Sequence, residues 1–342
     1  MTGTTGIPVL GIAASAGGIS AMQRLLAALP SDLPAAIVVV QHLSPSSGGA
    51  LPRILERAGP FGASFGTDGE PLRTGHIHVA PPDRHLLVVE DRVKLSNGPR
   101  QNGHRPAADP MFFSLALGSG RRAAVTVLSG VLDDGSAGAV AVAAHGGGVF
   151  VQDPKEALYQ GMPLAAIESV PDATVEPLAE LAGSVASFLH ERAAESPSKT
   201  MDDPELARRL AVLLEPGMQD PSRALGEVTG LHCPACGGPI FEAAEPREIE
   251  RYECLVGHSW GGQSFLQGQR EQMESALRLA TEHLVERVNL TRRLAEHAER
   301  GGRTVSARMF EENAERTEQA LLTIRQLLDR VRETLDGESV GS

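Results

Sequence analysis

Ala35 to Val40 are apolar without interruption, and the run AAIVVVQH closes on Gln41 and His42. A strand with one wet face alternates apolar and polar residues, so a continuous apolar run requires cover on both faces, the condition met inside a parallel sheet. Nearly continuous runs recur at Ile7 to Ala14, His76 to Ala80, Ala123 to Ser129 and Gly148 to Asp153. Helix-length patterns lie between them: GGISAMQRLLAALP follows the first run, and GALPRILERAG follows the second behind a Ser-Pro-Ser-Ser cap at residues 44–47. HLLVVEDRVKL predicts a hairpin. The alternation from Ile7 to about Ala193 predicts an α/β fold on a doubly wound, mainly parallel sheet.

Composition shifts near Ala194. Residues 195–222 mix Pro, Ser and Asp with one short amphipathic stretch, a linker carrying a helix, and all three cysteines then fall between Cys233 and Cys254. Two Glu-, Arg- and Leu-rich segments at 267–300 and 305–335 flank Gly301-Gly302, which predicts an antiparallel helical hairpin. Its apolar stripe runs through Met273, Leu277, Ala280, Leu284, Val288 and Leu294, then Ile324, Leu327, Leu328 and Val331. The predicted divisions are 1–193, a linker at 194–228, a cysteine module at 229–262 and the hairpin at 263–336. A length of 342 residues suits two to three domains of roughly 150 residues each.

Charge narrows the partners. With 43 acidic against 31 basic residues the net charge is -12, a field that does not gather phosphate backbones. From Gly261 onward 12 Arg, no Lys and 14 acidic residues give a sign-mixed solvated face, suited to pairing within one chain or between two in a homodimer. The N-terminus lacks a basic start and a long apolar core, and no 18 consecutive residues are apolar, so the expectation is a cytoplasmic protein without membrane insertion.

The chemistry gathers at predicted strand ends. Ser15 follows the first strand, and Gly17-Gly18 opens the next helix. A dinucleotide site would need G-x-G-x-x-G and an acidic residue closing the second strand, and the sequence has neither, because that strand ends in Gln41-His42. A hydroxyl nucleophile needs a base nearby, which His42 supplies. The strand AAVTVLS runs into GVLDDGSAG and brings Asp133 and Asp134 to the same rim, where the strand ends of a doubly wound sheet line one crevice. Serine, histidine and aspartate on one rim meet the needs of acyl transfer, with N–H groups at a helix start as an oxyanion hole. Taken singly, each has a structural reading: helix cap, buried histidine, turn aspartate.

AASAGG, VVVQH, APPDRHLLV at 80–88, RPAADPMFFSLA at 105–116, LSGVLDDGSAG and QGMPLAAIESV at 160–170, in that order, resemble the catalytic domain of the CheB protein-glutamate methylesterase family over roughly residues 5–190. The resemblance implies a Ser-His-Asp hydrolase of glutamate γ-methyl esters on chemoreceptor-like proteins, with glutamine deamidation as a further activity. It makes Ser15 the nucleophile, His42 the base and Asp134, next to the glycine, the acid. It puts oxyanion contacts at Val131 and Ala16, where the family often carries Met and Thr. It also places His85, Arg105 and Asp109 near the active-site face, with Arg105 either meeting an acidic receptor segment or pairing with Asp109 at i,i+4. His76, His78, His104, His145 and His190 have no partner pattern and are read as surface or core. The chain starts at the esterase strand, so the attached receiver domain of the chemotaxis enzyme is expected to be absent. Control would then come from the C-terminal region or a separate receiver protein, and methyl groups from a methyltransferase.

Cys233, Cys236, Cys254 and His258 form C-x2-C-x17-C-x3-H, two close ligand pairs separated by a hairpin-length span, as tetrahedral zinc requires. Glycines after the first pair suit a knuckle turn, and REIERYECL reads as a strand leading to the third ligand. Four protein ligands make the zinc structural, and the zinc-ribbon-like module a docking element. The alternatives are buried or redox-reactive thiols without metal, or His232 as a strained fourth ligand. Trp260 and Phe265 are expected to pack the ribbon on the following helix. Two other functions compete with a hydrolase: a non-catalytic assembly protein that retains the esterase-like fold, and a nucleic-acid-binding zinc protein, which the acidic balance disfavours.

Overall fold

A computed structural model describes residues 6–43, 49–195, 202–215, 227–242 and 251–338, with side chains to residue 331. The cap expected at 44–47 and most of the linker lie outside these residues. In chain order the elements are β1 (Val9–Ala14), α1 (Gly18–Ala28), β2 (Ala36–Gln41), α2 (Leu51–Glu56), β3 (Gly62–Phe65), β4 (His76–Val79), β5 (His85–Val89), β6 (Arg92–Ser96), α3 (Ala108–Ser119), β7 (Ala123–Val127), α4 (Ser136–Ala144), β8 (Gly148–Gln152), α5 (Gly161–Ser169), β9 (Thr174–Glu176) and α6 (Leu178–Ala194). They continue with α7 (Pro204–Leu214), β10 (Glu227–His232), β11 (Pro239–Glu242), β12 (Arg251–Cys254), β13 (Ser259–Gly261), α8 (Gly262–Arg300) and α9 (Thr304–Glu338). These fall into two compact units, Met1–Phe265 and Leu266–Ser342.

The first unit is built on a sheet in the order β3-β4-β2-β1-β7-β8-β9, parallel at every pairing. Every residue of β1, β2 and β7 is buried, as their unbroken apolar runs demand. One face is covered by α1, α2 and α6 through Met22, Leu25, Leu55, Leu181 and Leu189. The other is covered by α3, α4 and α5 through Met111, Phe112, Ala139 and Ala166. The chain passes from β1 through β2 to the edge strand β3, returns to β4 between β3 and β2, and then crosses to β7 on the other side of β1. The order therefore reverses at β1 and β7, which opens a crevice beyond their carboxyl ends. β5 and β6 form the predicted hairpin. β3 and β9, short edge strands of half-buried or exposed residues, carry no apolar run and escape a pattern search.

α7, the helix expected inside a linker, packs in the same core as α3 through Leu206, Leu210 and Leu213. Asp203 caps it, accepting the Leu206 N–H at 2.8 Å, with Pro204 opening the first turn. β10 to β13 form an antiparallel four-stranded sheet whose small core comprises Cys233, Ile240, Cys254, Trp260 and Phe265. Trp260 meets Phe265 edge-on at 6.2 Å, so the aromatic pair joins β13 to the start of α8 as expected.

The second unit is the hairpin of α8 and α9, turned by Gly301-Gly302 with Gly302 in the left-handed region at φ 69°. Among the described residues its buried apolar side chains are Val288, Ala295 and Ala298 on one helix and Ala307, Ala314 and Leu321 on the other. Of the expected stripe Val288 is buried and Leu277, Ala280, Leu284, Ile324, Leu328 and Val331 are half-buried, whereas Met273, Leu294 and Leu327 are exposed, and small side chains fill much of the seam. No helix among the described residues is long and apolar enough to cross a membrane.

Candidate active site

Ser15 stands one residue beyond β1, and its N–H donates to Ser129 O beyond β7 at 3.0 Å. Gly17 then turns in the left-handed region at φ 73°, and a Cβ there would lie 2.7 Å from Ser129 Oγ, so the turn that presents Ser15 depends on glycine. Gln41, the last residue of β2, donates from Nε2 to Ser15 O at 2.8 Å, and Gln152, the last of β8, accepts the Ser129 N–H at 2.9 Å. Two glutamines at strand ends thereby steady the serine turn; nothing in their spacing marks them in the sequence.

Ser15 Oγ is 3.1 Å from His42 Nδ1, and His42 Nε2 is 2.6 Å from Asp134 Oδ2. A carboxylate only accepts, so Nε2 carries the proton and Nδ1 offers its lone pair to the Ser15 hydroxyl. Asp134 is 1% exposed. Its Oδ1 accepts Asn102 Nδ2 at 2.8 Å and the Asp109 N–H at 3.3 Å, while Oδ2 also accepts the Ala108 N–H at 2.6 Å. These backbone donors open α3, so the carboxylate sits at a helix N-terminus. Burial pushes the Asp134 carboxyl up, but the His42 hydrogen bond and charge, followed by the Ala108 N–H, outweigh it and hold it below the ordinary range.

Asp133 behaves differently. Its carboxyl is pushed up, chiefly by burial, and accepts the Gln263 N–H at 3.1 Å and the Ser264 hydroxyl at the start of α8. The neighbouring aspartates therefore divide: Asp134 serves His42, and Asp133 anchors another element.

Of the expected oxyanion residues, Ala16 follows Ser15 and its carbonyl accepts Ser129 Oγ at 2.8 Å. Val131 is 41% exposed and follows Gly130, where a Cβ would stand 3.0 Å from Ser15 Cβ. Exposed Leu158 and Tyr159 lie beside the same turn, so an apolar lip borders the serine. The i,i+4 pair of Arg105 and Asp109 is replaced by other partners. Arg105 donates to Asp83 from Nε at 3.1 Å and Nη2 at 2.9 Å, and from Nη1 to Asn97 O and Gly98 O at 3.0 and 2.9 Å. Asp109 is buried and pairs with Arg251 of β12 at 2.9 Å. His85 is buried between Pro99 O and the Ala107 N–H, and burial pushes it down to about 4.

His104, read from sequence as surface or core, stacks on His42 with ring centroids 3.8 Å apart and planes within 15°. Burial first, and the nearby His42 second, push it down to about 4, so a neutral ring covers the His42 imidazole. A lone histidine in a loop offers no periodic signal, and only the folded chain brings it there.

In the ribbon the four expected ligands converge, with all ligand atoms within 4.8 Å of one another. Each pair sits on a knuckle: Gly237 N–H donates to Cys233 O, and Gly257 N–H to Cys254 O, both at 2.8 Å. Cys236 Sγ to Cys254 Sγ is 3.7 Å, Cys233 Sγ to His258 Nδ1 3.7 Å and Cys254 Sγ to His258 Nδ1 3.4 Å. Tetrahedral zinc with bonds of about 2.3 Å to sulfur and 2.0–2.1 Å to nitrogen sets S···S near 3.8 Å and S···N near 3.5 Å, so this chemistry and spacing fit that ion. Crowding pulls the thiols apart: Cys233 is lowered by its hydrogen bonds from Cys254 and His258, and Cys254 is raised by Cys233. His232 stands outside the cluster.

Fold and site together define an α/β protein that carries hydroxyl, imidazole and carboxylate in series at the carboxyl edge of a parallel sheet. The CheB methylesterase family model matches residues 10–185, and the chain belongs to that family. A protein-glutamate methylesterase/protein-glutamine glutaminase of Myxococcus xanthus is 39% identical over 156 residues, 45% of this chain and 44% of that protein. One of Anaeromyxobacter dehalogenans is 41% identical over 160 residues, 46% of this chain and 47% of that protein. The chain thus spans about half the length of the curated relatives it matches. The crystal structure of the Thermotoga maritima CheB methylesterase catalytic domain aligns over its whole length and 54% of this chain, with a TM-score of 0.51 and 28% identity.

Proposed function

We propose that the protein is a protein-glutamate methylesterase that hydrolyses glutamate γ-methyl esters on a chemoreceptor-like protein, with glutamine deamidation as a second outcome of the same chemistry. The observation that carries this reading is the unbroken hydrogen-bond chain from Ser15 Oγ through His42 to Asp134. Ser15 Oγ attacks the γ-carbonyl carbon while its proton passes to His42 Nδ1. The bond to the methoxy oxygen breaks, and that proton leaves with it as methanol. Water, deprotonated by His42, then opens the Ser15 ester and returns the glutamate carboxylate. Asp134 holds the Nε2–H tautomer and stabilises the imidazolium. Backbone N–H groups at Ala16 and Val131 face the developing oxyanion, and the lip of Val131, Leu158 and Tyr159 receives the methylated segment. We assign Arg105 to holding the 97–105 loop against Asp83.

We further propose that Cys233, Cys236, Cys254 and His258 hold zinc. When bound, it supplies cross-linking of the ribbon, since four protein ligands leave no open position. Three thiols in one metal cluster suit a reducing, cytoplasmic setting. A methylated receptor, its methyltransferase, a separate receiver protein and a second copy joined through the hairpin are the partners this reading implies.

The test is methanol release from a glutamate methyl-ester peptide by the full chain beside Ser15→Ala, with labelling of Ser15 by a serine-directed phosphonate. Release and labelling that vanish in the variant are expected. If the wild type shows neither, the protein is a non-catalytic binder.

A further inference from the structure

The 101–104 loop touches the ribbon on one side and the Ser15 site on the other. Asn102 is 3% exposed and has a left-handed backbone, φ 51°. Its N–H donates to Ser259 O at 2.7 Å, and its Oδ1 accepts the Gly261 N–H at 2.9 Å, so both ends of β13 grip it. From the same amide, Nδ2 donates to Asp134 Oδ1 and to Asp109 Oδ2, each at 2.8 Å. A side-chain amide held by its oxygen has its nitrogen aimed by the same constraint, so β13 sets the direction of a hydrogen bond to Asp134.

Further ties run in parallel. Gln101 Nε2 donates at 2.9 Å to the carbonyl of Gly257, the residue immediately before His258. Arg251, three residues before Cys254 and 3% exposed, donates to Asp109 at 2.9 Å and holds Ser259 Oγ at 2.7 and 3.1 Å. At Gly261 a Cβ would collide with the Asp133 carboxylate, so the strand's end lies directly on the loop that carries Asp134. His104, two residues beyond Asn102, stacks on His42.

We propose that the metal-loaded ribbon is a positioning element of the active site: through Asn102, and through Arg251 on Asp109, it fixes the Asp134 carboxylate against His42, so activity depends on a metal that never meets the substrate. The proposal rests on the hydrolase reading for its consequence in turnover, but the alignment itself is independent of catalysis. Cys233 to Cys236 and Cys254 to His258 pin the two hairpins of the ribbon together, and its small apolar core leaves that task to the metal. Without the metal, β12 and β13 lose their register, Asn102 loses the acceptor and donor that aim it, and Asp109 loses its buried counter-charge beside Asp134.

The test uses the full chain, with bound zinc measured by release to a chelator. The readout is the low-field proton resonance of His42 Nε2–H on Asp134, together with phosphonate labelling of Ser15 and separate kcat and KM. Chelation is expected to abolish the resonance, slow labelling and lower kcat about 10- to 100-fold with KM little changed, while the helical circular dichroism persists. Asn102→Gly accepts the same left-handed backbone and leaves the four ligands intact. It is expected to keep its zinc and show the same loss, and it decides the matter if chelation unfolds the chain. A metal-free chain that keeps the resonance and the labelling rate, a zinc-loaded Asn102→Gly with wild-type kcat, or purified chain that binds no zinc overturns the proposal. Failure of the hydrolase reading shows separately, as no methanol and no labelling in the zinc-loaded wild type, and the resonance still reads the coupling in that event.

Discussion

The carboxyl edge of the parallel sheet and the cysteine ribbon reach the same carboxylate by different means. At the sheet, β1, β2 and β7 are buried throughout between two apolar layers, so the exits that carry Ser15, His42 and Asp134 are fixed by packing. In the ribbon, Ile240, Trp260 and Phe265 with two cysteines form the small buried core among the described residues, and polar ties to residues 101–109 supply the rest. Packing gives a geometry that tolerates the loss of one polar contact, whereas a geometry built from a few directed bonds fails when any one is removed.

Ser15→Ala sharpens that comparison most. It removes the proposed nucleophile and leaves the sheet untouched, so kcat for methanol release should fall on the order of 10^4-fold or more, with the urea midpoint unchanged. A large shift in that midpoint would mean that the serine turn is also a stability element.

Arg251→Met tests the other regime. It leaves Asp109 buried without its counter-charge, and breaking such a pair costs about 3–5 kcal/mol. Urea unfolding of the full chain should show that loss. A cost below about 1 kcal/mol, typical of a solvated pair, would mean that the ribbon rests on the loop without holding it.

The two regions also differ in how much of them the sequence displays. Buried parallel strands announce themselves by unbroken β-branched runs, and topology then carries Ser15, His42 and Asp134 to one rim. The proposed metal ligands announce themselves by spacing. The polar residues between them leave no such trace in pattern or spacing: Asn102 and Arg251 lie far apart in the chain, Asp109 is placed there by the family resemblance alone, and His104 and Gln41 meet the site through contacts made only after folding. The half-buried edge strands β3 and β9 also escape, because nothing on their faces is periodic. In the hairpin Val288 and the half-buried Leu277, Leu284, Ile324 and Leu328 of the expected stripe are joined by buried Ala295, Ala298, Ala307 and Ala314, which the sequence does not mark, since alanine lets helices approach and contributes little to a hydrophobic pattern.

His85 sets the next magnitude. Burial pushes it from 6.5 to about 4. Between those values the unfolded imidazole takes a proton that the folded one refuses, so stability is full above 6.5 and falls as the pH drops toward 4. The loss amounts to about 3 kcal/mol from this residue. Urea unfolding at pH 7 and at pH 4.5 should show a steeper fall for the wild type than for His85→Gln, which keeps a donor and an acceptor but does not titrate. Equal falls would place the acid sensitivity elsewhere in the first unit.

The smallest effect belongs to the hairpin. Arg292 on α8 reaches Glu318 on α9 at 2.7 Å, with both side chains more than two-fifths exposed. Water screens such a pair and two long side chains lose freedom in making it, so Arg292→Met should change stability by less than about 1 kcal/mol, and less still in high salt. Set beside Arg251→Met, the same arginine-to-methionine change measures what burial adds to one ion pair. A hairpin that unfolds on losing Arg292 would show that its alanine seam is too thin to hold two helices, and that charge pairing rather than packing aligns them.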